Sequence, residues 1–189
     1  MSPSWLDLPG AELTVADYEA LPEEVCRRIE VVDGGIVMTA APRRLHQRVT
    51  RRLASAIEEV ADPRWAVATE VDLRLRDVPL LNRRPDIVLY DAGIDADEVL
   101  RPEHVVLVVE VMSPGSITTD QTDKPAEYAR AGIEHFWRVE NTTDDPADLV
   151  LFRYRLGPDP YLYTLLQVHK GPVTVSEPVE FRLDLAELL

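Results

Sequence analysis

The run from Val105 to Met112 is the feature that most constrains how this chain can fold. It reads Val-Val-Leu-Val-Val-Glu-Val-Met, so every position except Glu110 is apolar. A half-exposed strand alternates apolar and polar residues, whereas a run that is apolar throughout is typical of a strand covered on both faces. The chain is therefore predicted to build a sheet sandwiched between other elements, with this run near its centre.

Glu110 is the one charged residue in this run, and its position needs an explanation. Burying a carboxylate is costly unless the group is hydrogen-bonded, paired or bound to a cation. The helix breakers Ser113-Pro114-Gly115 follow almost at once, so Glu110 is expected near the end of its strand, where functional sites are often assembled. The alternative is a carboxylate at the rim of the sheet that simply reaches water.

Asp86 is a second acid in a comparable position. It opens the apolar stretch Ile87-Val88-Leu89-Tyr90, whereas the Asp of another Pro-Asp pair, Pro158-Asp159, is flanked by turn residues on both sides. If the strands of Asp86 and Glu110 are neighbours, their carboxylates lie side by side. We then expect them within about 6 Å of each other, an oxygen-rich pair that suits Mg²⁺ or Mn²⁺.

The remaining pattern indicates an α/β fold. A capped short helix is predicted from Thr14, and a hairpin over 28–38 with its turn at Asp33-Gly34. Apolar positions at helical spacing predict a helix from Arg44 to about Val60. Further predictions are a strand over 65–75, a helix over 120–131, a strand over 136–139, an antiparallel meander over 149–175 and a short terminal helix from Asp184. Together they predict a mixed, curved sheet with helices against it.

Composition is ordinary for a folded domain, but the charge is not. With 189 residues, 46% of them apolar, the chain can bury a core, and we expect one domain over residues 1–189. The net charge of −14 argues against a protein that coats nucleic acid with a broad positive surface, although it allows a local basic path. No run is apolar enough for a membrane span, no signal-peptide pattern is present, and the single cysteine, Cys26, fits a reducing cytoplasm.

The helix predicted over 44–60 carries arginines opposite its apolar positions. They are Arg44, Arg48, Arg51 and Arg52. Such a row is either a solvated helix face or a contact for nucleic acid, and the sequence alone favours the solvated face.

An ordered series of residues along the chain resembles a known family. Glu30 precedes the Asp33-Gly34 turn, His46 opens a helix, and Pro85-Asp86 is followed by Glu110-Val111. The series continues with Ser113-Pro114, Asp120, Lys124, Tyr128, Gly132 and Trp137. In this order the chain resembles the Uma-type family of putative restriction endonucleases, a bacterial branch of the PD-(D/E)XK nuclease superfamily. The resemblance covers a core of about 14–188.

The resemblance implies a restriction-endonuclease-like α/β fold, with a mixed, curved β-sheet flanked by helices. It implies that Asp86 and Glu110 are catalytic residues and ligands of Mg²⁺ or Mn²⁺. It adds Glu30 as a third acid and metal ligand. His46 and Asp120 are further members of the implied site.

A lysine completes the implied catalytic set. In the superfamily it usually lies two residues after the second acid, where this chain has Met112. In the Uma-type pattern a lysine on the following helix takes its place, and Lys124 occupies that position. Its ammonium group is expected to point at the acid pair in a solvent-open site, where it would hold the attacking water or neutralise the phosphate.

Three functions fit these features. The first is a cytoplasmic, Mg²⁺- or Mn²⁺-dependent endonuclease that hydrolyses phosphodiester bonds of nucleic acid, with DNA favoured. The second is a binding protein that keeps the nuclease fold without turnover, which the absence of a lysine at Met112 favours. The third is a metal-dependent hydrolase of a small phosphorylated molecule, which would suit the acidic surface.

A two-fold homodimer is also predicted, because a single active site cuts one strand and a dimer would place two sites on one duplex. The meander over 149–175 offers strand edges, with an interface expected above roughly 1,000 Å². Candidate aromatic contacts are Phe152, Tyr154, Tyr161 and Tyr163. The alternative is that these aromatic residues pack inside the monomer.

Overall fold

The computed structural model describes residues 12–39, 41–112, 122–141, 145, 148–159 and 161–189. Its α-helices are α1 (Val15–Glu19), α2 (Glu23–Cys26), α3 (Arg44–Val60) and α4 (Asp123–Arg130). Its strands are β1 (Ile29–Val32), β2 (Gly35–Met38), β3 (Trp65–Thr69), β4 (Leu73–Arg76), β5 (Leu81–Arg83), β6 (Ile87–Asp91), β7 (Val105–Val111), β8 (His135–Asn141), β9 (Leu149–Leu156), β10 (Tyr163–Lys170), β11 (Pro172–Val175) and β12 (Phe181–Asp184). Short 3-10 helices cover Pro102–His104 and Leu185–Leu188.

The strands form three sheets. The largest has the order β10-β9-β8-β7-β6-β3, the second has the order β2-β1-β5-β4, and β11 pairs with β12. Strands β7 and β8 are parallel, and α4 lies in the connection between them, because a parallel pair needs a crossover. The predicted fold class, a mixed sheet flanked by helices, is confirmed.

Both faces of β7 are covered, which explains its apolar sequence. On one face α3 packs through Val49, Leu53 and Ile57 against a cluster that includes Leu107 and Val109. On the other face Val108 packs in a second cluster with Tyr128 of α4, Ile133 and Phe136. Because water reaches neither face, no position of the strand requires a polar side chain, and Glu110 is the exception.

Several elements follow directly from local sequence signals. Helix α3 has the bounds that its apolar spacing predicts. Helix α1 begins with a capping box, in which Thr14 and Asp17 each accept a hydrogen bond from the other's backbone N–H. The β1–β2 hairpin turns through Asp33 and Gly34, which have positive φ angles of 50° and 79°, as a tight two-residue turn requires.

The single strand predicted over 65–75 is wrong, because β3 belongs to the six-stranded sheet and β4 to the four-stranded sheet. Between them Glu70 has a φ of +52°, a left-handed conformation that interrupts an extended chain. Nearby, Asp72 accepts hydrogen bonds from the Tyr18 hydroxyl at 2.8 Å and from Arg84 at 2.6 Å. These contacts come from distant parts of the chain, so the pattern of the strand did not reveal the break.

The predicted meander is correct for β9 and β10, which pair antiparallel. It fails at β11, which pairs with β12 in a separate sheet. The predicted terminal helix is the short 3-10 helix over 185–188, where Asp184 accepts a hydrogen bond of 3.0 Å from the N–H of Ala186. No helix among the described residues is long and apolar enough to cross a membrane.

The two larger sheets meet where the chain passes between them. It leaves the six-stranded sheet after β3, forms β4 and β5, and returns at β6. The N–H of Glu70 donates to the carbonyl of Asp86 at 3.3 Å across this junction. From the second sheet, Glu30 on β1 accepts a hydrogen bond of 3.0 Å from the N–H of Arg84. The junction therefore brings acids from both sheets to one place.

Candidate active site

Asp86 and Glu110 lie at adjacent ends of two neighbouring strands in the six-stranded sheet. Strands β6 and β7 are antiparallel neighbours in which Ile87 pairs with Val109. Asp86, just before β6, is therefore opposite Glu110, near the end of β7. Oδ2 of Asp86 also accepts a hydrogen bond of 2.6 Å from the N–H of Val111, so its carboxylate is anchored at the end of β7.

Glu110 is a buried carboxyl group, 4% exposed. Its Oε1 accepts a hydrogen bond of 2.7 Å from the Tyr128 hydroxyl and lies 3.5 Å from Nζ of Lys124. Burial raises the pKa of Glu110 to about 8, and the charges of Asp86 and Glu30 act in the same direction. The ammonium group of Lys124 and the Tyr128 hydroxyl oppose this rise without cancelling it. The raised pKa of Glu110 is therefore mainly an effect of its burial.

Lys124 is the second residue of α4, and Pro125 follows it within the first turn. Its Nζ lies 3.1 Å from Oε1 of Glu30 and 3.5 Å from Oε1 of Glu110. The expectation that Lys124 lies in a solvent-open position is wrong, because its side chain is only 9% exposed. The packing of α4 against the sheet through Tyr128 places the start of the helix over the acids.

Glu30 is held by donors on both of its oxygens. Oε1 faces the N–H of Arg84 and the ammonium group of Lys124, and Oε2 lies 2.9 Å from the guanidinium group of Arg83. Burial opposes ionisation of Glu30, but the positive charges of Lys124 and Arg83 outweigh it and lower its pKa. Glu30 is thus the anion that anchors Lys124, and its role as a metal ligand stays a prediction.

Arg83 and Glu127 belong to the same network, and the sequence analysis missed both. The guanidinium group of Arg83 donates to the two carboxylate oxygens of Glu127 at 2.7 and 2.8 Å, a bidentate pair. Burial lowers the pKa of Arg83, but Glu127 and Glu30 more than offset this and raise it. The sequence did not mark the pair, because the two residues lie 44 positions apart and the burial of Arg83 is set by the tertiary structure.

His46 contacts Asp86 from the first turns of α3. Its Nε2 lies 3.1 Å from Oδ1 of Asp86. Burial lowers the pKa of His46, but the hydrogen bond and charge of Asp86, with the charges of Glu110 and Glu70, outweigh this and raise it. Within the described residues, Nδ1 of His46 is buried without a hydrogen-bond partner. Asp120, the remaining residue of the predicted set, lies outside the described residues.

Comparison with known proteins identifies the family. A family model, Uma2, with the description "Putative restriction endonuclease", matches residues 15–187. The chain belongs to the Uma2 family. A solved structure from Anabaena variabilis, described as a putative nuclease belonging to DUF820, is similar with a TM-score of 0.67 and 18% identity, covering 93% of this chain and 97% of the other. That similarity shows a shared fold. A search of curated proteins finds no match.

The donors at this Uma2-family site fit a hard divalent cation. Among the described residues, no group of three or more His, Cys, Asp and Glu side chains is arranged to hold a metal. Mg²⁺, however, commonly binds one or two carboxylates and keeps several of its waters. Asp86 and Glu110 supply such a pair, and the described residues place one ammonium group, that of Lys124, beside Glu110 and Glu30. A divalent cation would add positive charge to this group of acids.

Proposed function

We propose that this Uma2-family chain is a metal-dependent endonuclease that hydrolyses phosphodiester bonds of nucleic acid, with DNA as the favoured substrate. One observation carries the proposal. Asp86 and Glu110 lie opposite each other on neighbouring strands, with the ammonium group of Lys124 3.5 Å from Glu110. Two carboxylates and one ammonium group, brought together at the ends of neighbouring strands, are the groups that metal-assisted phosphodiester hydrolysis uses.

In this proposal each side chain has a distinct task. Asp86 and Glu110 would hold Mg²⁺ or Mn²⁺, and the bound ion would lower the pKa of a water molecule and offset phosphate charge. Lys124 holds a positive charge beside Glu110, where it stabilises the additional negative charge of the transition state. Glu30 positions Lys124 from the other side. His46 orients the Asp86 carboxylate through its 3.1 Å contact, as partners of metal ligands do.

Two other functions remain as competing outcomes. A binding protein without turnover would use the same fold, and the Met112 position without a lysine is the feature that favours it. The burial of Lys124 between Glu30 and Glu110 favours the nuclease, because helix α4 supplies the positive charge that the Met112 position after β7 lacks. A hydrolase of small phosphorylated molecules would cleave a phosphomonoester but leave long nucleic acid intact.

The first test is metal-dependent cleavage. We expect the purified chain to nick or cut long duplex DNA in Mn²⁺ or Mg²⁺, and to lose this activity in EDTA, because the acid pair needs a divalent cation. Duplex DNA, single-stranded DNA, RNA and p-nitrophenyl phosphate are compared on gels and by absorbance, and Mn²⁺ is then added back to the EDTA sample. Cleavage that persists in EDTA, or turnover of p-nitrophenyl phosphate alone, would contradict the proposal.

A homodimer is part of the proposal, although three of the four aromatic residues predicted as its contacts also make contacts within one chain. The rings of Tyr154 and Tyr163 pack on Phe136 with centroids 5.6 and 5.5 Å away. Phe152 lies beneath the guanidinium group of Arg138. These three side chains are half-buried, and among the four only Tyr161 is largely exposed.

Strand β10 offers a different contact for a second copy. It is an edge strand of eight residues, and an edge presents unpaired backbone groups to another strand. Leu165 is opposite Tyr154 and Val168 is opposite Phe152, so both project from one face, and each is 48% exposed. Antiparallel pairing of β10 with its two-fold copy would continue the sheet and cover these apolar side chains.

Light scattering over a dilution series tests the dimer. We expect a mass twice the 21.3 kDa of one chain, and a monomer for the variant with Leu165→Lys and Val168→Lys, because two charged side chains cannot be buried there unpaired. Val60→Lys with Val78→Lys is the control, since both valines are exposed outside β10. A constant mass of one chain for the unmodified protein would exclude this dimer.

Domain organisation and location stay predictions. We infer one nuclease-like domain over 1–189, in keeping with the family match over residues 15–187. A cytoplasmic location rests on the single cysteine.

A further inference from the structure

A cleft of about 660 Å³ opens between α3 and β3, beside the candidate active site. Its helix side includes Arg44, Arg48, Thr50 and Arg51, and its strand side ends at Glu70. The N–H of Glu70 donates to the carbonyl of Asp86 at 3.3 Å. One end of this α3–β3 cleft therefore adjoins the proposed catalytic acids.

Among the described residues, the three arginines of the α3–β3 cleft have no acidic partner within ion-pair distance. Within the part of the chain that the structure describes, no carboxylate oxygen lies within 4.0 Å of the guanidinium groups of Arg44, Arg48 or Arg51. This contrasts with the arginines that pair with acids elsewhere, which are Arg27, Arg74, Arg76, Arg83, Arg84, Arg101, Arg138 and Arg155. The lining of the cleft has three arginines against two acids, Glu58 and Glu70, so it carries a small net positive charge in a chain whose net charge is −14.

The spacing of these arginines matches a nucleic-acid strand. Residues 44, 48 and 51 differ by four and three positions, so their side chains lie along one face of α3. They span roughly 10 Å of the helix axis, at about 1.5 Å per residue. One strand of duplex DNA carries a phosphate about every 3.4 Å of its axis, so this span corresponds to about three nucleotides.

Thr50 provides a second, independent observation in the cleft. It is 4% exposed and lines the cleft between the arginine positions. Among the described residues its Oγ1 is buried without a hydrogen-bond partner. Buried hydroxyl groups normally have a partner, and threonine hydroxyls are common donors to phosphate oxygens. Thr50 lies on the buried side of α3 with Val49 and Leu53, and an anionic ligand in the cleft would give its hydroxyl group the partner that it lacks among the described residues.

We infer that the α3–β3 cleft binds the phosphodiester backbone of the nucleic-acid strand, with about three phosphates held on one side of the bond to be cleaved. This inference rests on the proposed function and adds the substrate-binding surface to it. The rest of the chain has a large negative charge and repels nucleic acid. Binding is therefore confined to this cleft, which leads the strand to Asp86 and Glu110.

The test uses the full chain with Asp86→Asn, so that nucleic acid is bound without being cut. Fluorescein-labelled duplex DNA and its single strand are titrated by anisotropy between ~50 and ~200 mM NaCl. The variant is Arg44→Gln/Arg48→Gln/Arg51→Gln. The control, Arg28→Gln/Arg130→Gln/Arg182→Gln, removes the same charge from three exposed arginines outside α3. Melting curves establish that both are folded.

The cleft variant is expected to bind at least about tenfold more weakly, and its slope of log Kd against log salt should fall by about 2 to 3 on duplex DNA. The control should keep the slope of the parent. Equal losses in variant and control, an unchanged slope, or no binding by the parent would overturn the inference. Comparing the affinities for duplex and single-stranded DNA identifies which of the two the cleft binds more tightly.

Failure of this inference is distinguishable from failure of the proposed function. Cleavage by the unmodified chain, with an unchanged salt slope in the cleft variant, would overturn the cleft and leave the nuclease. A smaller salt slope in the cleft variant, with no cleavage by the unmodified chain, would support the cleft and overturn the nuclease.

Thr50→Val, which keeps the shape of the side chain, should weaken binding about tenfold while leaving the slope unchanged, because it removes an uncharged donor. Unaltered affinity in this variant would show that the Thr50 hydroxyl group does not contact the bound nucleic acid.

Discussion

Replacing Asp86 by asparagine is expected to lower the rate of cleavage by at least ~10³-fold, because ~4 kcal/mol of transition-state stabilisation depends on the cation it holds. Asparagine keeps the size of the side chain and can still accept the hydrogen bond from the N–H of Val111. What it loses is the negative charge. The measurement is a single-turnover cleavage rate in Mn²⁺, with the melting temperature recorded on the same sample.

Asp159→Asn is the matched control for this variant. Asp159 also follows a proline, and its Oδ1 also accepts a backbone hydrogen bond, at 3.0 Å from the N–H of Tyr161. It lies in an exposed turn, so the same chemical change should alter the rate by less than about twofold. A folded Asp86→Asn variant that keeps a tenth or more of the activity would show that Asp86 holds no catalytic cation.

Lys124→Met is expected to lower the free energy of unfolding by ~3–5 kcal/mol as well as abolishing cleavage, since it removes the positive charge between two buried carboxyl groups and, among the described residues, leaves Arg83 as the charged partner of Glu30. Nζ of Lys124 lies 3.1 Å from Glu30 and 3.5 Å from Glu110, and methionine has a similar length without the charge. Urea unfolding gives the stability, and cleavage is measured at a temperature where the variant remains folded.

Two further variants separate stability from activity. Lys170→Met changes the only other lysine of the chain, which is exposed on β10, and should cost less than ~0.5 kcal/mol. Adding Glu30→Gln to Lys124→Met removes the buried negative charge that has lost its ammonium partner. The two substitutions together should therefore lower the free energy of unfolding by ~1–3 kcal/mol less than the sum of their separate effects. Cleavage should not return. Additive costs would mean that Lys124 and Glu30 do not stabilise each other.

The parts of the fold that the sequence predicted well depend on neighbouring residues. Helix α3 could be predicted because its apolar positions recur at helical spacing, and that face packs on the sheet. The hairpin turn could be predicted because Asp33 and Gly34 are residues that tolerate positive φ. The break at Glu70 could not, because glutamate does not favour a left-handed conformation and contacts distant in sequence hold it there.

The candidate site shows the same division. Asp86 and Glu110 could be selected because each places a charge beside an apolar strand, where a charge is costly. Lys124 was selected only through the family resemblance, since no pattern in the amino-acid sequence connects it with Glu110. Arg83 and Glu127 were missed, because a bidentate pair between residues 44 positions apart leaves no periodic signal in the chain.

Short runs of residues are enough to predict that β7 is covered on both faces and that acids lie at the ends of two apolar strands, because apolar character and charge are properties of single residues. Which charged groups lie close together depends on how the strands and helices pack. The antiparallel pairing of β6 and β7 sets Asp86 opposite Glu110, and the packing of α4 brings Lys124 between Glu110 and Glu30. Electrostatic energy depends on distance through space, and distances between residues far apart in sequence exist only once the sheets and helices have packed.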